Sequence, residues 1–135
     1  MATRSTIAVV NPDGSVNQIY CHWDGYLSYN GRILKESYTN LNAVKELISH
    51  GDLSILAPNV NPTGDHSFDK PEEGVCVYYG RDRGEKNTKP RTYSDLKVFL
   101  RNMQCEEYDY VFKDNEWFLV SNDSLVGFST PIEVV

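Results

Sequence analysis

Long apolar runs are missing from this 135-residue chain. No stretch approaches the roughly 20 apolar residues that a membrane-spanning helix needs. The opening Met-Ala-Thr-Arg-Ser-Thr has no apolar h-region, so no secretory signal is expected. Cysteine is scarce: Cys21, Cys76 and Cys105 are odd in number and far apart. They read as reduced thiols of a cytosolic protein, not as a disulfide framework. Neither a Cys-x-x-Cys nor a His-x-x-x-His spacing occurs, so no metal site is expected. The glycine patterns that cradle phosphates and the Gly-x-Ser-x-Gly elbow of hydrolases are also missing, and no cofactor is expected. Positive charge is in deficit, with a formal net charge of −6. That disfavours general binding to a nucleic-acid backbone, which requires a basic face.

What is present is organised around Ile19-Tyr20-Cys21-His22-Trp23-Asp24-Gly25-Tyr26, which packs aromatic rings, an imidazole, a thiol and a carboxylate into one short stretch. Charge is also unevenly placed. From Arg81 to Arg101 seven basic residues stand against Asp82, Glu85 and Asp95. After Cys105 the balance reverses, with Glu106, Glu107, Asp109, Asp114, Glu116, Asp123 and Glu133 facing only Lys113. A basic arm and an acidic end suggest polar recognition or self-association as a homodimer.

The length predicts a single domain over residues 1–135. Residues 4–10 are rich in β-branched side chains and read as a strand. Asn11-Pro12-Asp13-Gly14 has the chemistry of a turn, and residues 16–23 return, so residues 4–23 form a hairpin. Strand parity puts Ile19, Cys21 and Trp23 toward the core and Gln18, Tyr20 and His22 on the opposite side. Arg4 falls beside His22 or Trp23. Helices are predicted at residues 31–38 and 41–50, the second capped by Asn40 and ended by Gly51. Residues 57–73 and 81–91 read as surface loops around a strand at 75–79. A helix at 93–103 starts at a capping-box-like Thr92/Asp95 pair. A closing hairpin turns at Asp114-Asn115, and the tail from Leu125 to Val134 adds an edge strand. The expected fold is α+β: an antiparallel sheet of two hairpins and a middle strand, with about three helices on one face.

Cys21 and His22 suggest a nucleophile and its base, but adjacent strand residues point to opposite faces and cannot pair. His50 stands at a helix C-terminus, where the dipole favours an imidazolium without a metal. The pairs Glu72-Glu73 and Glu106-Glu107 lie in polar surroundings as solvated charges. Recognition remains. Arg4, Tyr20, His22, Trp23, Asp24 and Tyr26 are of the types that carry binding energy in interfaces, and Arg81, Arg83, Lys86 and Arg91 can add contacts to anions. Half-buried sheet aromatics and a solvated basic loop explain each residue singly; the cluster as a whole points to binding.

Thr3-Arg4-Ser5-Thr6-Ile7, the Asp13-Gly14 turn and the Ile19–Tyr26 octapeptide resemble the N-terminal third of a family of small accessory proteins of tailed phages and prophages. The resemblance implies a non-structural viral protein in the host bacterial cytoplasm, with no activity to carry over to these positions. The resulting expectation is a non-enzymatic protein that binds and inhibits a host protein, anti-phage defence components foremost. Two alternatives stand beside it. One is sequestration of a nucleotide signal by the aromatic and Arg cluster, which requires those residues to line one concave pocket. The other is a small hydrolase or nuclease using His22 and Asp24.

Overall fold

The computed structural model describes residues 3–129. Its elements, in order, are β1 (Ser5–Val10), β2 (Val16–Trp23), α1 (Arg32–Ser37), α2 (Leu41–Ser49), β3 (Leu53–Ile55), β4 (Val77–Tyr78), α3 (Tyr79–Arg83), β5 (Arg91–Tyr93), α4 (Leu96–Asn102), β6 (Tyr108–Lys113), β7 (Glu116–Ser121) and β8 (Ser124–Gly127). A single π-helical turn, Leu27–Gly31, leads into α1. The fold is α+β, and the strands form one sheet in the order β4-β3-β2-β1-β6-β7-β8, with β5 also paired to β2.

The sheet is mixed, which corrects the antiparallel expectation. β1 pairs β2 antiparallel but β6 parallel, and β2 pairs β3 parallel. Parallel neighbours need a crossover connection. The α1–α2 segment supplies one for β2 and β3, and most of the chain supplies the other for β1 and β6. Hairpin signals are local in sequence and do not reveal either pairing. β1 is central, and its Ser-Thr-Ile-Ala-Val stretch is wholly buried, as expected for a strand covered on both faces.

That double cover is the second correction: the helices do not lie on one face. Ile7, Val9, Ile19 and Cys21 pack with Leu34, Val44, Leu47 and Ile48 of α1 and α2. Ala8, Val16 and Val111, of opposite parity, pack against Phe99 of α4. Gln18, on the side expected to face outward or into a pocket, is therefore fully buried. Its amide is satisfied there, donating to Gln104 O and accepting from the Tyr93 hydroxyl and the Gln104 N–H.

Local signals place several boundaries. The Asn40 side chain caps α2 by accepting from the Ala43 N–H. The fourth helix begins later than expected: Asp95, not Thr92, is its cap, accepting from the Val98 N–H. Thr92 and Tyr93 belong instead to β5, which pairs Val16–Gln18 of β2. Residues 81–91 are correspondingly less of a loop than predicted, since α3 occupies their start and β5 their end. Asp114-Asn115 and Asn122-Asp123 all have positive φ, the geometry of tight hairpin turns. The tail strand begins at Ser124; its predicted part from Thr130 onward lies outside the described residues.

Residues 57–73 form a pinned loop. The Glu72 carboxylate accepts from the N–H groups of Thr63 and Gly64 and from the Thr63 hydroxyl. His66 Nδ1 accepts from the Glu72 N–H, so Nε2 carries the hydrogen and faces Asp82 Oδ2 at 3.3 Å. No helix among the described residues is long and apolar enough to cross a membrane.

Candidate functional site

The octapeptide forms a corner of the molecule. β2 ends at Trp23, and the chain must turn at once to enter the π-helical turn and α1. Gly25 makes the turn possible. A Cβ there would lie 2.8 Å from Ser5 Cβ, 2.9 Å from Thr3 O and 3.0 Å from Arg4 O, closer than packed atoms allow. The Gly25 N–H instead bonds Thr3 O at 2.7 Å, and its carbonyl accepts from the buried Tyr110 hydroxyl at 2.6 Å. The corner is thereby locked to β1 and β6.

Side chains radiate from this lock. Cys21 is fully buried, and burial pushes its thiol up to about 12, far from a usable nucleophile. Tyr20 is half-buried and its hydroxyl lies 2.7 Å from His22 Nδ1. Burial raises the Tyr20 phenol, so it stays protonated and shares this hydrogen bond as a neutral group. The His22 ring then meets Trp23 edge-on, with centroids 5.0 Å apart. Trp23 was expected in the core, yet it is 38% exposed. The alternation of β2 continues, but Trp23 is its last residue, paired with Ile55 at the end of the short β3. Tyr26 is 40% exposed and packs against Tyr29, whose hydroxyl bonds Leu56 O. Asp24 holds the turn through its carbonyl, which accepts from the Asn30 N–H. Pairing of Ser5 with Cys21 sets Arg4, exposed, opposite His22, as one of the two predicted registers requires.

The basic arm divides. Arg91 joins the corner: its guanidinium lies 3.0 Å from Asp52 Oδ1, the same oxygen that accepts from the Tyr20 N–H at 2.8 Å. Arg83 stacks over Phe68 at 5.0 Å, and Phe68 packs on Tyr79. Lys86 is exposed in the segment after α3. Arg81, expected to reach for a ligand, points inward instead. It binds Val60 O, Cys76 O and both oxygens of Asp82, and stacks over Tyr78. Four of its five N–H donors are thus consumed within the protein.

Asp52, Tyr79 and Phe68 were not singled out from sequence. Asp52 organises the corner through Tyr20 and Arg91, partners 32 and 39 residues away. Its sequence signal is faint: a carboxylate directly after a glycine that ends a helix.

Chemistry at the remaining candidates is restricted. The Nδ1 of His66 is occupied by the Glu72 N–H, and its buried Nε2 faces Asp82 at 3.3 Å without a formed hydrogen bond. His50 caps α2 and packs on Tyr78; burial, aided by Arg81, lowers its pKa and overrides the expected dipole effect. Among the described residues no three His, Cys, Asp or Glu side chains gather as metal ligands. Cavities of about 340, 290, 470 and 220 Å³ are lined by residues other than Arg4, Tyr20, His22 and Trp23.

Asp109 is buried beside this surface, two strands from Tyr20. Its Oδ1 accepts from the Thr6 hydroxyl and the Glu106 N–H. Burial raises its pKa, outweighing those hydrogen bonds. A raised carboxyl favours the folded state below its unfolded value of 3.8, and that contribution is lost as pH climbs through the folded value. Asp109→Asn keeps an acceptor for both donors. It is expected to raise the denaturation midpoint at pH 7, with the gain vanishing below about pH 4, near the ordinary aspartate value. Urea titrations at both pH values check this; a loss of stability at pH 7 would show that the charge itself is needed.

Comparison with protein-family models, with curated proteins and with solved structures finds no match to this chain.

Proposed function

We propose that this protein is a non-enzymatic binding protein whose aromatic corner recognises another protein. The observation that carries the reading is the exposure of Trp23 and Tyr26 on a turn locked by the Gly25 hydrogen bonds. Large rings held rigidly in water lose little entropy on binding and act as anchors. Arg4, opposite His22, and the Arg91–Asp52 pair, tied to the Tyr20 N–H, offer polar groups along the adjoining part of β2. None of the four cavities described above is lined by Arg4, Tyr20, His22 or Trp23, which favours a macromolecular partner over the sequestration of a nucleotide. A hydrolase or nuclease gains no support from a buried thiol and from a His22 whose Nδ1 is already hydrogen-bonded.

The resemblance to phage accessory proteins extends the proposal to its setting. The partner is a host protein in the bacterial cytoplasm, anti-phage defence components foremost, and binding blocks it. Affinity capture from host cells with the wild-type protein and with Trp23→Ala/Tyr26→Ala tests this. One host protein should be retained in stoichiometric amount by the wild type. With purified components the double variant should weaken binding by at least about 2 kcal/mol, roughly thirtyfold. Equal retention by a folded double variant would overturn the reading, and a co-purifying nucleotide would replace it with sequestration.

A further inference from the structure

The free edges of the sheet differ in how they are protected. β4 is two residues long and runs straight into α3. β5 is entered through Lys89-Pro90 and begins with Arg91; proline and cations are common guards against strand addition. β8 has neither. Its four residues, Ser-Leu-Val-Gly, carry no charge and no proline, and they pair with β7 in unbroken register from Ser121↔Ser124 to Phe118↔Gly127. Its other side has no strand neighbour among the described residues. Val126 is 41% exposed on the face it shares with Leu119. α2 lies over β1 and β2, and towards β8 the cover ends at Lys35 and Thr39, leaving Val126 exposed. A cavity of about 340 Å³ beside it is floored by Phe112, Trp117 and Phe128.

We propose that β8 pairs antiparallel with β8 of a second copy about a two-fold axis perpendicular to the sheet. The operation joins two sheets into one and keeps corresponding faces on the same side, so Val126 and Leu119 of each copy form a shared apolar seam. Charge fits the same symmetry. Lys35 stands at the C-terminal end of β8, its ammonium 4.5 Å from the Phe128 ring centroid and bonded to the Phe128 carbonyl. Exposed Asp123 stands at the other end, in the turn before Ser124. Antiparallel pairing brings the C-terminal end of one β8 to the N-terminal end of the other. Lys35 of each copy therefore approaches Asp123 of the other, twice per dimer, which is the self-complementarity an isologous interface requires. β8 is separated from β2 by β1, β6 and β7, so the dimer leaves both aromatic corners free.

Sedimentation of the purified chain from about 1 to 100 µM, the range of micromolar association, tests the proposal. The wild type should show a concentration-dependent dimer. Val126→Lys, at an exposed position with its fold checked by circular dichroism, should be monomeric throughout. Lys35→Glu and Asp123→Lys should each weaken the dimer several-fold, and the combined variant should restore it. A wild type that stays monomeric overturns the proposal. So does a dimer that survives Val126→Lys, or a combined variant no tighter than the single ones.

Discussion

Gly51→Ala is expected to be among the most damaging single-methyl additions to this protein. Gly51 ends α2 with φ +85°, and a Cβ placed there would sit 2.1 Å from Thr88 O and 3.0 Å from its carbonyl carbon. Two costs add. An L-residue in the left-handed region is disfavoured by about 1–2 kcal/mol. The overlap is with backbone, so the Thr88 carbonyl must move, and that carbonyl accepts the Asp52 N–H at 2.8 Å. A buried donor stripped of its partner costs a further 1–3 kcal/mol or so. The sum, roughly 2–5 kcal/mol, is a large share of the ~5–15 kcal/mol that holds a domain together. Thermal unfolding should fall by on the order of 10 °C, and urea denaturation gives the free energy directly. Because Asp52 also holds Tyr20 and Arg91, a loss of partner binding should accompany it. A stability change under about 1 kcal/mol, ordinary for a surface site, would mean that the Thr88 segment yields freely and that the close approach is not structural.

Asp82→Asn should come next in size. The carboxylate accepts from Arg81 and from the Tyr78 N–H at 2.8 Å, with His66 Nε2 3.3 Å from Oδ2, and its side chain is 6% exposed. Removing the charge leaves the Arg81 guanidinium without its counter-ion, and the asparagine amide turns a donor toward other donors. Breaking such a pair costs about 3 kcal/mol or more, reduced somewhat because Arg81 is 21% exposed. The pH dependence identifies the cause. Burial pushes the Asp82 carboxyl up, but the hydrogen bonds from Arg81, Tyr78 and His66 outweigh it and hold the group below its ordinary 3.8. A lowered carboxyl contributes stability above the unfolded value, and that contribution is lost as pH falls through the folded value. The gap between wild type and Asp82→Asn should therefore be full at pH 7 and narrow below about pH 4. A gap of constant size down to pH 2 would assign the effect to shape rather than charge. Hydrogen exchange should show residues 57–75 opening first, since His66 ties that loop to Asp82.

Much of the local architecture was legible from residue chemistry. The hairpin of β1 and β2, the Asn40 cap, the Gly51 stop and the turn at Asp114-Asn115 each follow from one residue's conformational preference. The burial of Cys21 follows from strand parity. What went wrong went wrong for tertiary reasons. Gln18 read as facing outward or into a pocket because a polar residue on the side opposite Ile19 implies a single-sided sheet; α4, distant in sequence, covers that side. Trp23 read as buried because parity says nothing about how far along a strand the core extends, and Trp23 is the last residue of β2. Arg81 read as a ligand-binding cation among other cations, whereas its acceptors are the carbonyls of Val60 and Cys76 and the neighbouring Asp82.

The candidate surface divides along the same line. Its inventory of rings and cations was visible in the octapeptide, and so was the need for a turn at Asp24-Gly25. Its organisation was not, because Asp52 reaches Tyr20 and Arg91 across sequence gaps that carry no periodic signal. Alternation, capping and turn preferences act within a few residues and could be read directly. The parallel pairings, the two-sided cover and the inward Arg81 depend on which distant segments meet. That was decided by the packing of the whole chain, through contacts no local preference encodes.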